Sequence, residues 1–137
     1  MTFPSQGPAS VVPVLALRET LLVTLQGELH DGMAEQLQED INSRIASSGA
    51  TGVIIDISGV EIVDSFLGRI LAEIAASASL LAARTVVAGM RPAVAITLVE
   101  LGLTLPGLTT ALDVDRALEL LTRASTPSAS DGRERGT

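Results

Sequence analysis

The sequence predicts an α/β domain on a mixed sheet of four to five strands, opening with an antiparallel hairpin and covered by helices. Three observations carry this. Two short apolar runs, 11–17 (VVPVLAL) and 21–26 (LLVTLQ), are separated only by Arg18, Glu19 and Thr20. That gap is too short for a crossover helix, so the runs pair antiparallel. The run 53–57 (VIIDI) is almost continuously apolar, as in a strand covered on both faces. Elsewhere apolar residues recur at helical spacing, which gives the order β-β-α-β-α-β-α-β-α. A doubly wound sheet would begin β-α-β instead.

The elements follow in order. After the hairpin, Asp31 is placed to cap a first helix, whose Met33, Leu37, Ile41 and Ile45 form one apolar stripe. Glu35, Gln38, Glu39, Asn42 and Arg44 fill its other faces, and Gly49 supplies the left-handed residue that ends it. The buried strand 53–57 leads into a loop over 58–63. A second helix starts near Asp64 or Ser65 and turns Leu67, Ile70, Leu71, Ile74, Ala78 and Leu81 inward. Residues 85–88 (TVVA) form another buried strand, closed by Gly89. Pro92 marks the first turn of a third helix and Gly102 its end. Val94, Ile96, Leu98, Val99 and Leu101 make that helix apolar nearly all round, which implies packing on more than one partner. Residues 108–111 read as a short edge strand. Asp113 then caps a last helix with Val114, Ala117, Leu118 and Leu121 inward.

Residues 1–10 form a flexible Pro/Ser/Gly-rich lead, the folded domain covers 11–123, and 124–137 (ASTPSASDGRERGT) reads as a disordered polar tail. The chain has 137 residues, enough for one domain and not two. Hydrophobic residues are 47% and charged residues 18%, too apolar for a disordered chain. The longest uncharged stretch, 1–17, carries three prolines and no basic n-region, so it is neither a signal peptide nor a spanning helix. A soluble cytoplasmic protein is the expectation.

Composition also excludes functions. There is no Cys, Trp or Tyr, and the aromatics are Phe3 and Phe66. Base-stacking recognition of single strands has almost nothing to work with. All nine basic residues are Arg, so Schiff-base chemistry and a P-loop lysine are excluded. A net charge of −7 argues against nucleic acid and anionic membranes as partners. His30 is the one histidine and there is no Cys, so no zinc set can be assembled; lying just before Asp31, His30 reads as a surface-loop histidine, and no G-x-S-x-G motif marks a serine hydrolase. Asp113 and Asp115 read as helix N-terminal charges. Asp56 ends a buried strand as a phosphoacceptor aspartate would, but a receiver domain also needs a lysine. Asp56 is therefore expected to cap the loop that follows. The reading is of a protein that is not an enzyme and needs no cofactor or metal.

What remains is Asp64-Ser65 at a strand-loop-helix junction. A serine in a first turn commonly serves as a helix cap. The functional alternative is a phosphorylation switch. A phosphate on Ser65 would bring about −1.5 to −2 charges beside Asp64. Two unit charges about 4 Å apart repel by roughly 4 kcal/mol at an effective dielectric near 20. A partner docked on that helix would meet an anion it was not built to hold. Phe66, next in line, is either core or an anchor in such an interface.

The runs 52–71 (GVIIDISGVEIVDSFLGRIL), 86–103 (VVAGMRPAVAITLVELGL) and 109–121 (TTALDVDRALELL), with 21–31 (LLVTLQGELHD), resemble the STAS domain. This is the fold of bacterial anti-sigma-factor antagonists, and the likeness is nearest to the small scaffold subunits of stressosomes. It implies the STAS fold, with the family's phosphoacceptor serine on Ser65 and a kinase-facing surface of Asp64, Ser65, Phe66 and Arg69. Free antagonists of the family usually carry Asp-Ser-Ser-Gly there; Phe66-Leu67 in this chain follows the scaffold pattern. Larger co-subunits carry threonine acceptors, one of them later in the domain, which makes Thr97 the candidate second acceptor here.

The resemblance implies a non-enzymatic scaffold that forms homo- and hetero-oligomers with larger STAS-containing co-subunits. It would sequester a serine/threonine switch kinase and release it on phosphorylation, with a PP2C-type phosphatase resetting the serine. Two alternatives stand beside it: a free monomeric antagonist, and a small-ligand sensing domain using the loops at the Ser65 pole.

Overall fold

The computed structural model describes residues 12–102 and 108–125. The lead at 1–10 and the tail beyond Ser125 lie outside the described residues. The elements are β1 (Val14–Leu17), β2 (Thr20–Gln26), α1 (Asp31–Ser48), β3 (Gly52–Gly59) and α2 (Ser65–Leu80). They continue with β4 (Arg84–Ala88), α3 (Pro92–Glu100), β5 (Thr109–Ala111) and α4 (Val114–Ser125). The strands form one sheet in the order β1-β2-β3-β4-β5. β1 pairs with β2 antiparallel, and every other pairing is parallel. The hairpin, the order of elements along the chain and the central β3 are as the sequence patterns predict.

The hairpin turns on Arg18, a non-glycine residue held at φ 59. The Glu19 carbonyl accepts the Thr51 amide at 2.8 Å, which ties this turn to the start of β3. In β3 the alternation of strand side chains divides the core in two. Val53, Ile55 and Ile57 face a large cluster with Leu37, Ile41, Ile45, Leu67, Ile70, Leu71, Ile74, Val94 and Leu98. Ile54 faces a small cluster with Val86, Ala88, Ala117 and Leu121. Helices α1, α2 and α3 thus cover one face, and α4 alone covers part of the other. Gly52 lets α4 approach closely, since a Cβ there would lie 2.8 Å from Leu121 Cδ1.

Four local readings change. Helix α1 is capped at His30 and not at Asp31; His30 is extended, at φ −98 and ψ 161, and its side chain makes no cap bond. Asp31 lies inside the first turn, where its charge favours the helix dipole. Leu81 follows α2 as its C-cap residue and is exposed, because the chain leaves the helix before the stripe returns to the core. In α3 only Val94 and Leu98 are buried; Ile96, Val99 and Leu101 face outward. A nine-residue helix against one sheet face has one inward stripe, so its apolar outer face finds no cover among the described residues. Helix α4 also runs two residues past the expected boundary at 123.

Candidate functional site at the Ser65 pole

Because β2, β3, β4 and β5 run parallel, their carboxyl ends share one edge of the sheet. The segments 27–30, 60–64 and 89–91 leave from that edge. In open α/β sheets, binding sites collect outside the carboxyl ends of the parallel strands, on loops held by the rigid sheet.

Asp64 is the N-cap of α2. It sits in extended backbone, at φ −138 and ψ −179, and its Oδ1 accepts the Leu67 amide at 3.1 Å. Ser65 is therefore the first helical residue and not the cap. Its side chain is exposed, and its hydroxyl has no hydrogen-bond partner among the described residues. The cap function is discharged one residue earlier, which leaves the Ser65 hydroxyl available at the mouth of the helix.

Phe66 is half-buried against the large core cluster. Its ring carries the Arg69 guanidinium 5.4 Å from the centroid, a cation–π distance. Asp64, Ser65, Phe66 and Arg69 thus occupy the N-cap, the first turn and the start of the second turn of α2. Thr97 does not join them. It lies within α3, half-buried, and its Oγ1 donates to the Ala93 carbonyl at 2.9 Å.

The loops are braced from below. Asp56 Oδ1 accepts the Ser58 amide at 3.0 Å, but β3 runs on to Gly59, so this bond lies within the last residues of the strand and not in the loop that Asp56 is expected to cap. Gly89 stands at φ 78, packed on the last residues of β3; a Cβ there would lie 2.9 Å from Ser58 Cβ. Both conditions demand glycine. The Arg91 guanidinium donates to the Val60 carbonyl at 2.8 Å and ties the start of α3 to the loop before Asp64. Helix α2 is aligned on α1 by Gln38 to Glu73 at 3.0 Å and Ser77 to Asn42 at 3.3 Å.

A cleft of about 210 Å³ opens beside Asp64 and Phe66. Leu25, Leu29, Met33 and Val60 line it, with Glu28 and His30. Ile62, on its rim, is 63% exposed. Sequence reasoning missed Arg91 and this cleft. Arg91 carries no local signal, because its partner lies 31 positions away. The Glu28-Leu29-His30 loop reads as ordinary surface until the fold lays it beside α2.

The STAS domain model matches residues 12–117. This chain belongs to the STAS family. Among solved structures, a Ser-to-Glu variant of RsbS from Moorella thermoacetica is 38% identical, with a TM-score of 0.73, over 83% of this chain and 97% of that one. A structure of the molecular architecture of the stressosome, a signal integration and transduction hub, contains a chain 39% identical, also with a TM-score of 0.73. That match covers 83% of this STAS chain and 99% of the other. The RsbT co-antagonist protein RsbRD of Bacillus subtilis is 28% identical over 107 residues. The match takes in 77% of this chain and 38% of RsbRD, so the chain spans well under half the length of that relative. The likeness to RsbS expected from the runs around Asp64-Ser65 thus appears in sequence and fold together. No helix among the described residues is long and apolar enough to cross a membrane.

Proposed function

We propose that this STAS chain is a non-enzymatic, RsbS-type scaffold that retains a switch kinase of RsbT type and releases it when Ser65 is phosphorylated. The observation that carries this reading is the exposed Ser65 hydroxyl at the first position of α2, unbonded because Asp64 already caps the helix. An acceptor hydroxyl has to reach a phosphoryl donor, and a serine committed to capping could not do so without loosening its helix.

In the unmodified state the kinase docks over Asp64, Ser65, Phe66 and Arg69. Phosphorylation places a dianion within that contact. Desolvating the new charge, and holding it beside the Asp64 carboxylate, weakens the docked state while the core stays intact. ATP belongs to the kinase. A PP2C-type phosphatase restores the hydroxyl. Larger RsbR-type subunits share the assembly, as the likeness to the RsbT co-antagonist RsbRD and to a stressosome chain supports. The setting is the cytoplasm.

The test is retention of the kinase on immobilised scaffold. Ser65→Ala is expected to hold it as wild type does in the absence of ATP, and to keep holding it when ATP is added. Ser65→Asp is expected to bind about tenfold more weakly or worse, a difference of about 1.4 kcal/mol. Equal affinity for wild type, Ser65→Ala and Ser65→Asp would refute the switch.

A further inference from the structure

Arg69 stands four residues after Ser65 on α2. Residues so spaced lie on one helix face with Cβ atoms about 5–6 Å apart. Helical side chains lean toward the N-terminus, so the Arg69 side chain reaches back over the first turn. It does so already, since its guanidinium lies 5.4 Å from the Phe66 centroid. Arg69 is exposed and makes no ion pair among the described residues. The other charged groups at this pole are differently engaged or of the wrong sign. Arg91 is held by the Val60 carbonyl, Asp64 by the Leu67 amide, and Glu28 and Glu61 are acidic. His30 lies on the cleft side, at the start of α1.

We propose that Arg69 is the internal receptor of a phosphate on Ser65, moving from the Phe66 ring to the phosphate when the serine is modified. This rests on the reading of Ser65 as the phosphoacceptor and adds the device through which the modification acts. A guanidinium pairs with phosphate through parallel N–H donors, and a dianion outcompetes a ring face for it. The helix N-terminus and Arg69 together offset the repulsion from Asp64, so the modified helix keeps its first turn. The move also uncovers Phe66, which lines the cleft of about 210 Å³. Phosphorylation therefore alters the apolar part of the surface as well as its charge.

The experiment uses the full chain with phosphoserine installed at position 65 during translation, so that no kinase is needed. The second ionisation of the phosphate is followed by phosphorus NMR across pH. Arg69→Gln is expected to raise its midpoint by about 0.3–0.6 pH unit, because the cation that favours the dianion is gone. Arg84→Gln, at the opposite end of the parallel strands, is expected to leave it unchanged. In the unmodified chain the Arg69 side-chain protons are expected to show the upfield shift of a neighbouring ring, and to lose it when phosphoserine is present. Equal midpoints for wild type and Arg69→Gln, an equal shift from Arg84→Gln, or Arg69 protons unmoved by phosphoserine would each overturn the proposal. A phosphate clamped by Arg69 in a chain that still retains the kinase would leave this inference standing and remove the switch itself.

Discussion

Two hydroxyls on two helices of this domain have opposite fates. Thr97 lies in the interior of α3, where the carbonyl four residues back is within reach, and Oγ1 donates to Ala93 at 2.9 Å. Ser65 lies at the first position of α2. Four residues back from Ser65 is Glu61, in the loop before the helix, and no local acceptor is presented to the hydroxyl. Interior hydroxyls commonly bond back to the preceding turn, whereas those at a helix start are available to cap or to react. In α2 the cap is Asp64, so the Ser65 hydroxyl is not committed to capping. Position along the helix, more than residue type, separates a hydroxyl available for modification from one already occupied.

The sharpest way to break this comparison is chemical. Incubated with a switch kinase of RsbT type and ATP, the wild-type chain is expected to take up close to one phosphate. Ser65→Ala is expected to take up none, and Thr97→Val to behave as wild type. Intact-mass spectrometry reads all three, and phosphate persisting in Ser65→Ala would place the acceptor elsewhere.

A smaller effect separates the cap from the acceptor. Asp64→Ala removes the side chain that accepts the Leu67 amide and is expected to cost about 1 kcal/mol of stability. Ser65→Ala removes a hydroxyl with no partner and is expected to change stability by less than about 0.5 kcal/mol. Urea unfolding of the two variants measures both. A loss in Ser65→Ala as large as that in Asp64→Ala would return Ser65 to a capping role. The smallest expected effect is that of Thr97→Val, whose bond to Ala93 is a weak local one. Its unfolding free energy from the same urea series is expected within about 0.5 kcal/mol of wild type.

A second contrast concerns cover. Helix α2 buries seven residues, Leu67, Gly68, Ile70, Leu71, Ile74, Ala75 and Ala78, while α3 buries only Val94 and Leu98. The apolar pattern alone makes the two helices look alike. α2 packs on the sheet and on α1, with Gln38–Glu73 and Asn42–Ser77 fixing their register. α3 contributes only Val94 and Leu98 to the large cluster, and Ile96 and Val99 remain 58% and 74% exposed. An apolar residue in a periodic pattern is a request for cover, and the chain itself meets that request for α2 and not for α3.

Most of the architecture is legible in the sequence. The three-residue spacing after Leu17 forced an antiparallel hairpin. The unbroken run at 53–57 demanded a central strand, and it is central. Gly49 and Gly102 do stand in left-handed backbone, at φ 72 and φ 73, and Pro92 does open α3. Asp113 does cap α4, accepting the Arg116 amide at 2.9 Å. These are local properties, set by steric limits on single residues and by side-chain periods of two and of 3.6 residues. The order of elements, the central strand and the junction that holds Ser65 follow from them.

Other features were settled only when distant segments met. Which of two adjacent polar residues caps α2, and which is left with a free hydroxyl, depends on where the loop from β3 delivers the chain. Arg91 fixes that loop from 31 positions away. Gly89 admits the close approach of Ser58, and the loop at 27–30 closes a cleft beside Phe66. Local periodicity carries no trace of such contacts, because their energy depends on spatial separation and not on spacing along the chain.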